Sequence, residues 1–138
     1  MPAAVTVWHK REMVRQYSTF PAIYELIKEI PAGEVASYGM IASLIPGATA
    51  RIVGFATAAT PPGENIPWQR VINSQGKISE RDGAARQRAR LEGEGVEFSK
   101  AGKVNWANHR WSGPSQAWLD KNGMDPIDFM TLQGGWPG

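Results

Sequence analysis

The sequence predicts a mainly α domain with a small β wing, arranged as a winged helix-turn-helix. Three observations carry this. Phe20, Ile23, Tyr24, Ile27 and Ile30 recur at helical spacing on one face. Two further short helical stretches are joined through a Pro46-Gly47 corner. Short apolar pairs flank two turn-like tetrads, residues 73–76 and 100–103.

Element by element, residues 1–18 show no sustained period and are expected to form an arm. Thr19 is placed to cap the first helix, Pro21 suits its first turn, and Pro31 closes it. Gly33 makes a turn, and Val35 to Ser37 form a short extended link. Ser37 then caps a brief second helix, residues 38–45, with Ile41 and Leu44 facing inward. The third helix is expected over residues 48–60, ending before Pro61-Pro62-Gly63. Val71-Ile72 and Lys77-Ile78 read as the two sides of a hairpin wing around Asn73-Ser74-Gln75-Gly76. Asp82 is expected to cap a fourth helix through Glu94, with Gly95 at its C′ position. Residues 96–98 and 104–106 bracket a second hairpin. The last stretch holds Trp111, Trp118 and Trp136 among Gly, Pro and Asp, and is expected to drape over the domain or stay partly mobile.

Composition narrows the chemistry. At 138 residues the chain suits one domain. It contains no cysteine, which excludes disulfides, thiolate metal sites and any thiol nucleophile. His9 and His109, the two histidines, lie far apart in sequence, so no metal centre and no cofactor is expected. No apolar run approaches a membrane span, and no membrane association is expected. Net charge is +2. Between Gln69 and Arg90, however, six basic residues (Arg70, Lys77, Arg81, Arg86, Arg88, Arg90) face two acids, Glu80 and Asp82. That local excess suits either a phosphate-facing surface or a solvated helix face.

The third helix opens on Ala48-Thr49-Ala50-Arg51-Ile52-Val53-Gly54. Its outward side chains are small except for one arginine. Such a surface lets a backbone lie close in a groove while Arg51 reaches into the base stack, as wedge residues do in minor-groove binders. Close helix–helix packing by Ala and Gly would need the same residues.

Longer blocks carry a resemblance. Residues 30–39, Ile-Pro-Ala-Gly-Glu-Val-Ala-Ser-Tyr-Gly, are followed by Arg51-Ile52-Val53-Gly54, by Ile66-Pro67-Trp68-Gln69-Arg70-Val71-Ile72-Asn73-Ser74, and by Arg90-Leu91-Glu92-Gly93-Glu94-Gly95-Val96. In this order, with an interval of 17 from Arg51 to Trp68, they resemble the C-terminal domain of the O6-alkylguanine-DNA alkyltransferases. Trp68 stands where those enzymes carry the alkyl-accepting cysteine, Gln69 where they keep the activating histidine, and Thr60 where they carry an asparagine. With tryptophan at that position the chain resembles the alkyltransferase-like proteins, which recognise the lesion without repairing it. About residues 19–98 are covered; residues 99–138 form an extension with no recognised motif.

The resemblance implies roles. Tyr38 would press the target phosphate and Arg51 would fill the space left by the extruded base, with Ala48, Thr49, Ala50 and Gly54 completing the DNA face. The lesion pocket would comprise Trp68, Gln69, Arg70, Val71, Asp82 and Glu94. The expected ligand is double-stranded DNA containing O6-alkylguanine. The resemblance further implies a monomer that hands the lesion to nucleotide excision repair proteins, cytoplasmic in a bacterium or nuclear in a eukaryote. Neither an indole nor a carboxamide can perform the transfer, because one is no nucleophile and the other no titrating base. Two alternatives stay open: a winged-helix transcription regulator reading undamaged DNA, and a dealkylating enzyme using a group other than cysteine.

Overall fold

The computed structural model describes residues 18–138; the expected arm lies outside them apart from Ser18. Helix α1 spans Phe20–Ile27 and buries Ile23, Leu26 and Ile27, the i, i+3, i+4 stripe that its sequence offers. It starts without the expected Thr19 cap geometry. Thr19 has helical dihedrals (φ −85°, ψ −15°), and its carbonyl accepts from Ile23 N. Beyond Ile27 the chain tightens through i→i−3 bonds from Glu29 and Ile30, which leaves Ile30 buried in the turn rather than in the helix.

Strand β1 (Ala36–Ser37) leads into α2 (Tyr38–Ser43). Ser37 caps α2 as its sequence predicts, its Oγ accepting from Met40 N at 3.0 Å. After the Pro46-Gly47 corner, Thr49 caps α3 (Ala50–Ala58) through Ile52 N at 3.2 Å. The helix is shorter at both ends than residues 48–60; it starts later because Thr49 offers a hydroxyl cap that Ala48 lacks, and it ends at Ala58 with Ala59 as its C-cap. α2 and α3 are the helix-turn-helix. Tyr24 Oη donates to Ala56 O at 2.8 Å and ties α1 to α3. Burial pushes that hydroxyl's pKa up, and the charge of Glu64 adds to the rise.

The strand pairing differs from the expected hairpin. β2 (Val71–Ile72) pairs in parallel with β1, Ala36 opposite Val71 and Ser37 opposite Ile72. Both β2 residues are fully buried, so they need cover on both faces that a two-stranded wing would not supply. The 73–77 turn itself forms, since Asn73 Oδ1 accepts from Gln75 N and Lys77 N, each at 3.0 Å. Lys77 then bridges to Lys103, and Phe98 bridges to Val104 within the second predicted hairpin.

Helix α4 spans Ala84–Gly93. Gly83, with φ +90°, occupies its N-cap position, so Asp82 is not the cap the sequence suggests. Gly95 stands at C′ as predicted, where Gly95 N bonds Glu92 O and Val96 N bonds Leu91 O.

Residues 99–138 add three helices that sequence periodicity did not foretell: α5 (Trp106–His109), α6 (Gln116–Lys121) and α7 (Pro126–Gln133). Each has a polar cap, Asn105, Ser115 and Asp125 respectively. Trp111, Trp118, Leu119 and Trp136 share one core with Ile23, Leu26 and Val53. Val35 exchanges backbone bonds with His109 and Trp111, both 2.8 Å, and Trp136 Nε1 donates to Ser43 Oγ at 3.1 Å. The mostly helical fold with its small sheet is therefore the one the sequence predicts, with the strand order revised.

Candidate nucleic-acid interface and base pocket

Ile66-Pro67-Trp68 forms an inverse γ-turn: Pro67 lies at φ −79°, ψ 62°, and Trp68 N donates to Ile66 O at 2.8 Å. A single 3₁₀ turn, Trp68–Arg70, follows. This tight geometry sends consecutive side chains to opposite sides. Trp68 is half-exposed and lines a cavity of about 700 Å³, while Gln69 is 6% exposed and points inward. The volume falls within the roughly 300–1,000 Å³ usual for small-molecule sites.

Behind the indole is a hydrogen-bonded support. Gln69 Nε2 donates to Glu94 Oε2 at 2.9 Å. Arg70 donates to both Glu94 oxygens at 3.0 Å and to Ile30 O at 2.7 Å. Gln87, fully buried, donates through Nε2 to the carbonyls of Gln69 and Val71. Burial pushes the Glu94 carboxyl up, but hydrogen bonds from Arg70 and Gln69, the charge of Arg70 and the Gly33 backbone N–H outweigh it. The net result lies below the ordinary carboxylate value.

In front of the indole the lining is cationic and open. The wall comes from the end of α3 (Thr57, Ala58), the loop from Thr60 to Ile66, and Arg81, Asp82, Gly83, Arg86 and Arg90. The Arg86 and Arg90 guanidinium carbons sit 5.2 and 5.6 Å from the Trp68 ring centre. Arg81 is held by a 3.3 Å bond to Gln87 Oε1.

Of the six residues expected in the pocket, Trp68 and Asp82 line this cavity. Gln69, Arg70, Val71 and Glu94 do not; they form the layer behind it, Gln69 and Arg70 because they are spent on Glu94, Val71 because β2 is interior. Arg81, Arg86 and Arg90 enter instead. Their signal in the sequence is the i, i+4 spacing of Arg86 and Arg90 within the basic stretch. That stretch splits around α4, since Arg88 turns away to stack on Phe98 at 4.7 Å and pair with Glu92. Thr60, the position that departs from asparagine, is also in the cavity wall. Nothing in the sequence marks Gln87, a buried amide on a charged helix.

The predicted DNA face lies on α2 and α3. Tyr38 is the first residue of α2 and half-buried; Ala50 and Arg51 are exposed in the first turn of α3, beside Thr49 and the half-buried Ala48. Arg51 folds back over Phe55, 5.3 Å from its ring centre. A Cβ added at Gly54 would meet nothing within 4 Å, so this glycine serves no internal seam. The same helix reaches the cavity through Thr57 and Ala58.

Residues 18–96 match the family described as 6-O-methylguanine DNA methyltransferase, DNA binding domain. Alkyltransferase-like protein 1 of Schizosaccharomyces pombe is 40% identical over 106 residues, covering 71% of this chain and 98% of its own length. The chain belongs to the alkyltransferase-like family. A second member-like relative, the DNA base-flipping protein of Vibrio parahaemolyticus, is 47% identical over 93 residues, 64% of this chain and 91% of its own. Among solved structures, S. pombe Atl1 in complex with damaged DNA containing O6-carboxymethylguanine matches with a TM-score of 0.63 and 40% identity. It covers 70% of this alkyltransferase-like chain and 96% of its own.

Proposed function

We propose that this protein is a non-enzymatic DNA-damage sensor that flips O6-alkylguanine into the cavity beside Trp68. The observation carrying this reading is the partly exposed indole set as one wall of a hollow roomy enough for a purine. Base–aromatic stacking contributes roughly 1–3 kcal/mol per base. Extrusion costs a few kcal/mol, and less for a base that pairs badly, as a guanine alkylated at O6 does. The arginines around the cavity add attraction for the strand that enters it.

The exposed small side chains of α3 approach the minor groove, Tyr38 bears on the backbone, and Arg51 leaves Phe55 to occupy the gap. In support, the S. pombe relative has been solved with damaged DNA, and Gly54 faces open space rather than another helix. With no cysteine in the chain and Gln69 bonded to Glu94, the alkyl group stays on the base. The monomer, in the bacterial cytoplasm or eukaryotic nucleus, then passes the bent duplex to nucleotide excision repair proteins.

The test is the affinity for duplexes differing by a single O6-methylguanine, at one stated salt concentration. Tighter binding to the lesion duplex is expected. Equal affinities would sink the sensor reading.

A further inference from the structure

The indole face that a flipped base needs already carries cationic cover. Arg86 and Arg90 both sit over Trp68 in the cavity. A base stacking there has to share or displace them, and the two differ in where they can go. Arg90 alone of the pair also lines a second hollow, of about 310 Å³, with Lys28, Asn65, Ile66, Pro67, Gln69 and Arg70.

Gln69, one of the residues around that second hollow, carries an unmet acceptor. Gln69 Oε1 is buried and has no hydrogen-bond partner. The amide cannot be turned to relieve this, because its other end faces a Glu94 oxygen at 2.9 Å. Glu94's carboxyl is kept ionised by Arg70, and a carboxylate only accepts. A buried carbonyl oxygen without a donor is costly to a fold, so this one is open to any donor that can reach it. Of the other cationic side chains around this hollow, Arg70 is committed to Glu94 and Ile30 O, and Lys28 pairs with Glu25 at 3.3 Å. Arg90 has an exposed side chain and only the indole as partner among the described contacts.

Resting on the sensor reading above, we propose that Arg90 is a two-position residue. In the free protein it covers Trp68; when a base enters, it leaves the ring, crosses into the second hollow and donates to Gln69 Oε1. The base thus exchanges one cation–π contact for its own stacking. A buried acceptor is satisfied in the same step. The exchange lowers the cost of clearing the indole, and it makes Gln69 and Arg90 positioning residues for lesion binding. Arg86, which has no access to that hollow, stays in the base cavity.

The test is a double-mutant cycle on the preference for an O6-methylguanine duplex over its unmodified twin. Arg90→Ala and Gln69→Met are each expected to lower the preference about tenfold, the low end of what one hydrogen bond to a charged donor is worth. The double variant is expected to lose no more than either single one. Independent losses that multiply, or an unaffected Gln69→Met, would overturn the exchange. Since Gln69→Met also frees Glu94, a second readout uses the unaltered protein labelled with ¹⁵N. The Arg90 Nε–H should gain protection from solvent exchange when the lesion duplex binds. An unprotected Arg90, or protection that persists in Gln69→Met because a phosphate holds the guanidinium, also overturns it. Loss of lesion preference in the unaltered protein would remove the sensor reading and the exchange together. A normal preference with multiplicative variants removes the exchange alone.

Discussion

Behind Trp68, Gln69, Arg70, Gln87 and Glu94 spend nearly every polar atom on one another or on backbone carbonyls, whereas in front of it Arg81, Arg86 and Arg90 stand around an open cavity. Both regions draw on the 3₁₀ turn and α4, and both hold arginine. They differ in what the charge faces. Where Arg70 meets a carboxylate away from water, its charge is consumed in holding the turn. Where Arg86 and Arg90 meet an aromatic face and solvent, their charge remains available to a ligand. Stability should therefore respond most to changes behind the ring, and binding to changes in front of it and at Gln69.

The largest expected effect breaks the rear layer. Arg70→Ala strips Glu94 of its cation and Ile30 O of a donor, and should cost about 3 kcal/mol in denaturant unfolding. This is the low end for a broken pair, since both side chains keep about one-sixth of their exposure. Lesion preference of the folded fraction should stay within twofold; a collapse of preference with intact stability would reverse the assignment of the two regions. Trp68→Ala should do the opposite, weakening lesion binding by roughly ten- to a hundredfold from lost stacking, while the unfolding midpoint moves little. Arg51→Ala, at an exposed site, should reduce lesion affinity about tenfold without shifting the melting temperature.

A smaller effect follows from Glu94. Its folded pKa lies below the ordinary 4.5, so it stabilises the protein above that value. This contribution disappears as pH falls through the depressed value. Glu94→Gln should flatten the stability profile between about pH 5 and 3, read by urea unfolding at several pH values; an unchanged acid limb would show that the pair contributes nothing. Smallest of all, Tyr38→Phe should alter lesion affinity less than Tyr38→Ala if the ring's bulk bears on the backbone. Equal losses would assign the work to the hydroxyl.

Much of this was readable from one sequence, for physical reasons that can be named. Ser37 and Gly95 announce themselves because a cap and a C′ turn depend on a few neighbouring atoms. Trp68 and Arg51 stand out because each is a large group where small or reactive ones are expected. The strand partner of β2 was not readable, since a two-residue strand is decided by what lies 35 positions away. The division of arginines between support and cavity was equally hidden. Arg70 and Arg90 belong to one basic stretch, and the fold sends the first behind the ring and the second in front of it. Asp82 offered good cap chemistry, but Gly83 took the position through its left-handed backbone.

Residues 99–138 have one more consequence. Val35 is gripped on either side by His109 and Trp111, and the paired rings of Trp111 and Trp136 lie 6.0 Å apart inside the shared core. The match to the family's DNA-binding domain stops at residue 96, yet Trp111, Trp118, Leu119 and Trp136 beyond it belong to the same core as Ile23, Leu26 and Val53. Trimming this polypeptide at residue 96 should uncover those apolar side chains and yield sticky, poorly soluble material. What arrived as an addition has become a keystone.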